Sequence, residues 1–126
     1  MPFITPLRAE AIQGRHWKLL APLIYRGRHQ ELVVPAGFVT DLGSVPWWAT
    51  WLVPRDDEGR PAYVLHDYHY RTGQVSRRDA DGILRRTLRE RGYGRVRRWT
   101  AWAGVRLGGW VAWRRWRRIE MVEVRI

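Results

Sequence analysis

With 126 residues, the chain has material for one domain spanning 1–126. Two separate cores would each be too small to stabilise themselves. Apolar residues make up 45% and aromatics 13%, which excludes a disordered chain. The absence of cysteine excludes disulfides, thiolate metal sites and thiol catalysis. The formal net charge of +11 is carried almost wholly by arginine, Lys18 being the single lysine. It predicts attraction to polyanions: nucleic acid, anionic lipid or an acidic protein face.

The N-terminal forty residues read as strands. Phe3 to Ile12 is a first candidate, ended by Gly14. The apolar runs Trp17–Tyr25 and Glu31–Thr40 follow, joined by a turn at Arg26-Gly27-Arg28-His29. Pro35 inside the second run indicates an edge position or a bulge. Thr40 to Pro46 is turn-rich. Ser44 is placed to cap a short helix carrying Trp47, Trp48 and Trp51, which Pro54 ends.

Pro61 opens a helix through about Arg71, closed by Gly73. Ser76 and Asp79 form a capping box for the next helix, which runs to about Arg91. Ala80, Ile83, Leu84, Thr87 and Leu88 form its apolar face. A last helix is expected over about Arg95–Arg117, broken at Gly108-Gly109, with Trp99, Trp102, Trp110 and Trp113 on one side. The tail from Ile119 to Ile126 alternates apolar and charged residues and reads as a strand returning to the N-terminal sheet. The expected fold is α+β, a small antiparallel sheet of N-terminal strands plus the C-terminal strand, beside three to four helices. No apolar leader opens the chain and no window reaches the roughly twenty apolar residues of a membrane span, so a cytoplasmic or particle-associated protein is expected.

Chemistry concentrates on the Ala62–Arg71 helix. His66 and Tyr70 lie one turn apart on a shared face, and Asp67 points about a quarter turn away. The imidazole suits a general base, the Asp67 carboxylate a hard cation, and the phenol can orient a second carboxylate. Asp81, at the edge of the next helix's apolar face, can supply that carboxylate if the two helices pack antiparallel. Asp79 is committed to its cap. The plainer readings stand beside these. His66 can be a core histidine, Asp41 can close a turn, Asp67 can pair with Arg71, and His16, His29 and His69 can be surface residues. Arg106, on the tryptophan side of the last helix, calls for an aromatic face or a buried partner such as Asp41 or Asp67.

Two resemblances follow from these residues. Val34–Pro46, with its Thr40-Asp41-Leu42-Gly43-Ser44-Val45-Pro46 core, then Leu65–Arg71 and Arg78-x-Ala80-Asp81, resembles an uncharacterised family of short phage and prophage proteins. It implies phage origin, in the host cytoplasm or the virion, without naming an activity. Over some twenty residues, His66-Asp67-x-x-Tyr70 with Asp81 is similar to the active-site helices of phospholipase A2. That likeness implies His66 as base, Asp67 as a calcium ligand, and Tyr70 and Asp81 orienting the imidazole. Asp41, in the Gly37–Gly43 loop, would then stand in for the glycine-rich calcium loop of that family.

The Arg114, Arg115, Trp116, Arg117 and Arg118 stretch has three readings: contact with anionic lipid, contact with nucleic-acid phosphate, or a tryptophan core face with solvated arginines. The functions compatible with the sequence are a metal-dependent ester or lipid hydrolase with calcium as cofactor, a non-enzymatic phage virion, tail or assembly protein, and a basic nucleic-acid binder.

Overall fold

The computed structural model describes residues 3–14, 16–40 and 58–125, and side chains as far as residue 119. The expected short tryptophan helix at Ser44–Trp51, and Asp41, lie outside the described residues.

Five short strands precede the helices: β1 Ala9–Ala11, β2 Trp17–Leu19, β3 Leu23–Arg26, β4 Glu31–Val34 and β5 Val39–Thr40. They form two antiparallel sheets, β1-β2-β5 and β3-β4. Each long apolar run of the sequence is therefore two strands. Trp17–Tyr25 breaks between Leu19 and Leu23, where Pro22 cannot donate to a ladder. Glu31–Thr40 breaks at Pro35–Gly37, where Gly37 adopts φ 89°, and its N–H reaches back to the Leu19 carbonyl at 2.8 Å. The hairpin turn closes with Gly27 N–H donating to the Gln30 carbonyl at 2.9 Å.

Among the described residues, four helices follow: α1 Arg60–Thr72, α2 Arg77–Glu90, α3 Arg95–Gly108 and α4 Trp110–Arg125. Pro61 sits in the first turn of α1, where its missing N–H costs nothing, and Gly73 ends the helix at φ 66°. Ser76 caps α2 by accepting from the Asp79 N–H at 3.1 Å. The α+β class holds. The C-terminal strand does not, because α4 runs through the tail to Arg125. The apolar residues of that tail fit a period of two, but Ile119 and Val122 also fit helical spacing. No glycine or proline follows Gly109, and extending a formed helix costs less than nucleating a new element.

The break is confined to Gly109, which keeps a helical φ of −75° and carries the i→i−4 bonds Gly109 N–H to Val105 carbonyl and Trp113 N–H to Gly109 carbonyl, and the tryptophans divide between two neighbouring azimuths. Trp99 and Trp110 are exposed, whereas Trp113 is half-buried against Tyr70. Two apolar clusters result. Leu19, Leu23, Tyr25 and Val34 of the sheets pack on Val64 and Leu65 of α1, and Ala62 packs on Leu84 and Leu88 of α2, Tyr93 of the α2–α3 connection and Ala101 of α3. Helix α1 thus contributes to both, through Val64 and Leu65 on one side and Ala62 on the other. No helix among the described residues is long and apolar enough to cross a membrane.

Candidate functional site

α1 and α2 pack antiparallel about their glycine-terminated connection, which brings Asp81 across from His66 and Tyr70. Asp81 sits one turn above the α2 N-terminus and is fully buried. Its Oδ1 receives two donors: His66 Nε2 at 2.8 Å and the Tyr70 hydroxyl at 2.6 Å. Its Oδ2 receives Arg106 Nη1 of α3 at 2.9 Å, with Arg77 Nε 4.0 Å away. Burial alone would raise the Asp81 pKa. The hydrogen bonds from His66, Tyr70 and Arg106 outweigh it and hold the carboxyl below its ordinary value.

An ionised carboxylate only accepts, so His66 must carry its proton on Nε2. In the neutral imidazole Nδ1 is then the lone-pair nitrogen. It has no hydrogen-bond partner among the described residues, and the His66 side chain keeps 11% of its surface exposed. The phenol of Tyr70 is pushed well above its ordinary pKa by burial and then by its bond to Asp81, so it stays a neutral donor.

Arg77 ties the site to α3. Its Nε donates to the Tyr70 hydroxyl at 3.2 Å, and its Nη2 donates to the Val105 and Arg106 carbonyls at 2.8 and 2.6 Å. The expected buried partner of Arg106 is thus Asp81, where the sequence pointed to Asp41 or Asp67. The i,i+4 spacing of Arg77 and Asp81 on α2 was the sequence signal for the second arginine.

Asp67 faces the other way. Its Oδ2 accepts from the Thr40 hydroxyl of β5 at 2.9 Å, and Arg71 stacks instead over Phe38 and Trp116. Arg60, Pro61, Val64 and Thr40 border a cleft of about 620 Å³ walled also by Phe3, Leu7 and Trp17. Thr40, the partner of Asp67, is one of its walls, and neither Asp67 nor His66 is among them. Calcium takes roughly six to eight oxygens. The described residues offer it the Asp67 carboxylate and the Thr40 hydroxyl, and no three acidic or histidine side chains gather among them. These residues alone do not make a calcium cage.

His69 is buried rather than at the surface. Burial and then the neighbouring His66 lower its pKa to about 4, and its Nδ1 has no hydrogen-bond partner. Of the C-terminal basic stretch, Arg114, Arg115 and Arg118 are exposed. Arg117 turns inward, its Nη2 donating to the Tyr70 and Arg71 carbonyls at 3.0 and 2.7 Å. Trp116 is half-buried.

No curated protein and no solved structure matches the chain. A family model does match, over residues 17–105, which include both helices of the His66–Asp81 pair. The chain belongs to the family described as "Protein of unknown function (DUF1353)".

Proposed function

We propose that the chain is a phage-encoded ester hydrolase in which His66 is the general base and a lipid ester the substrate. One observation carries this reading: Asp81, itself fixed by Tyr70, holds His66 by Nε2 and leaves Nδ1 turned away from the carboxylate. It is the arrangement that the likeness to phospholipase A2 implies. Nδ1 takes a proton from water as the water oxygen attacks the ester carbonyl. Asp81 stabilises the imidazolium so formed, and the proton passes to the departing alkoxide as the carbonyl re-forms. Base catalysis of this kind contributes on the order of 10²–10⁴ in rate.

A lipid substrate is supported by the α3–α4 elbow. Leu107, Trp110 and Val111 are exposed there beside the exposed Arg114, Arg115 and Arg118, a combination suited to an anionic bilayer surface. Asp67 and the Thr40 hydroxyl are what the described residues would offer a calcium ion, on the side of α1 turned away from His66, so the His66 step runs without the metal.

The test is fatty-acid release from phosphatidylglycerol vesicles by the purified protein, with calcium and with chelator. Release should fall at least about 100-fold in His66→Ala. Equal release by His66→Ala, or none under either condition, removes the proposal.

A second reading is favoured by the arginines on Asp81. A carboxylate saturated by His66, Tyr70 and Arg106 suits a structural clasp in a non-enzymatic virion, tail or assembly protein. On that reading His66→Ala lowers stability and leaves incorporation into particles intact. Absence of the chain from purified particles counts against it.

A further inference from the structure

A second feature of the surface is independent of His66. Between α2 and α3 runs a groove of about 270 Å³ walled by Arg85, Arg86, Arg89, Arg98 and Trp99. Another, of about 460 Å³, runs from α2 under the β3–β4 turn and is walled by Arg26, Arg28, His29 and Glu90 together with the same Arg86 and Arg89. Arg86 and Arg89 border both grooves, so the two adjoin along α2 as one basic trough.

Among the described residues its charge is only partly neutralised, Glu90 being the one acid in its walls and Arg98 Nη1 donating to the Tyr93 carbonyl at 3.2 Å. Arg26 pairs with Glu31 at 3.3 Å, and Glu90 is occupied by the Tyr25 hydroxyl at 2.9 and 3.1 Å. Among the described residues no carboxylate pairs with Arg28, Arg85, Arg86, Arg89 or Arg98. Arg85 and Arg89 are like charges one turn apart on α2, an arrangement that destabilises a helix by itself. Arg85 lies 4.2 Å over the ring of Trp99, which is exposed.

The shape selects among polyanions. A bilayer is flat and calls for apolar residues to insert, and among the described walls of these two grooves Trp99 is the one exposed large apolar side chain, Tyr25 being buried. A single nucleic-acid strand is a linear array of phosphates that can lie in a trough. Guanidinium forks match phosphate oxygens, and an exposed indole stacks on any base. We propose that this trough binds single-stranded nucleic acid, with Arg85, Arg86, Arg89 and Arg98 on successive phosphates and Trp99 against a base.

Fluorescence anisotropy of a labelled oligothymidine strand, titrated with the full chain at several salt concentrations, tests it. Four phosphate contacts give a slope of log K against log salt of roughly −3. The double variant R86E/R89E should bind at least about tenfold more weakly with a shallower slope, and Trp99→Ala at least about fivefold more weakly. The pair R114E/R115E on α4 should change affinity by less than about twofold, as should His66→Ala, each variant being checked for native circular dichroism. Native-like binding by R86E/R89E overturns the proposal, as does an equal loss in R114E/R115E. So does binding of phosphatidylserine vesicles through Arg86 and Arg89 with none of the oligonucleotide.

Discussion

Gly109, at the α3–α4 junction, is what lets the Tyr70 phenol reach Asp81. A Cβ built on Gly109 would lie 2.6 Å from the Tyr70 hydroxyl, 3.1 Å from its ring and 2.5 Å from the Val105 carbonyl. The backbone there is ordinary, with φ −75°, so the requirement is for space and not for conformation. Gly109→Ala should destabilise the protein by about 1–3 kcal/mol through overpacking. The same variant should lengthen the Tyr70–Asp81 bond. Thermal unfolding reads the first effect, and a downfield-to-upfield move of the Tyr70 hydroxyl proton reads the second. An unchanged melting temperature would show that the helix junction yields freely.

Asp81 concentrates the electrostatics of three helices in one buried group. Asp81→Ala strands Arg106 and Arg77 without their counter-charge, and a cost of about 3–5 kcal/mol is expected by chemical denaturation. The folded-state pKa of Asp81 lies below the unfolded value near 3.8. Its contribution is therefore complete above that unfolded value and is lost as the pH falls through the lower, folded one. In the Asp81→Asn variant that acid-side loss, below about pH 4, should disappear. A native-like acid limb in this variant would place the acid sensitivity elsewhere.

His69 gives a different window. Its pKa falls from 6.5 to about 4 on folding, so between those values the unfolded chain binds the extra proton. Stability is complete above pH 6.5 and declines toward pH 4, by about 3 kcal/mol in all. With no hydrogen bond to lose at Nδ1, His69→Leu should flatten this limb and match or exceed native stability at pH 5. Steeper acid loss in the variant would contradict the burial argument.

Arg117 fastens α4 onto the end of α1. It donates to the Tyr70 and Arg71 carbonyls and lies over Trp113, and a side chain on Gly73 would overlap it. Arg117→Met keeps apolar length and loses the bonds to the last-turn carbonyls. A cost of about 1–3 kcal/mol is expected, with faster amide exchange in the final turn of α1. Unaltered exchange there would mean that Gly73 alone terminates the helix.

By itself the sequence determined the class of the fold and the His66, Tyr70 and Asp81 cluster. Pro61, Gly73, Ser76 and Asp79 set the ends of α1 and α2 through local chemistry, and a short connection leaves those helices an antiparallel neighbour arrangement. Period-based reading failed where two periods fitted one segment, at the tail that continues α4, and where proline and glycine cut one apolar run into strands of two sheets. Only the tertiary structure decided that Asp81 is held by Arg106, that His69 is buried, and that Asp67 turns to Thr40. Those outcomes depend on which faces of distant segments meet, and a hydrogen-bonding group takes whichever partner packing delivers, a choice that no local spacing encodes.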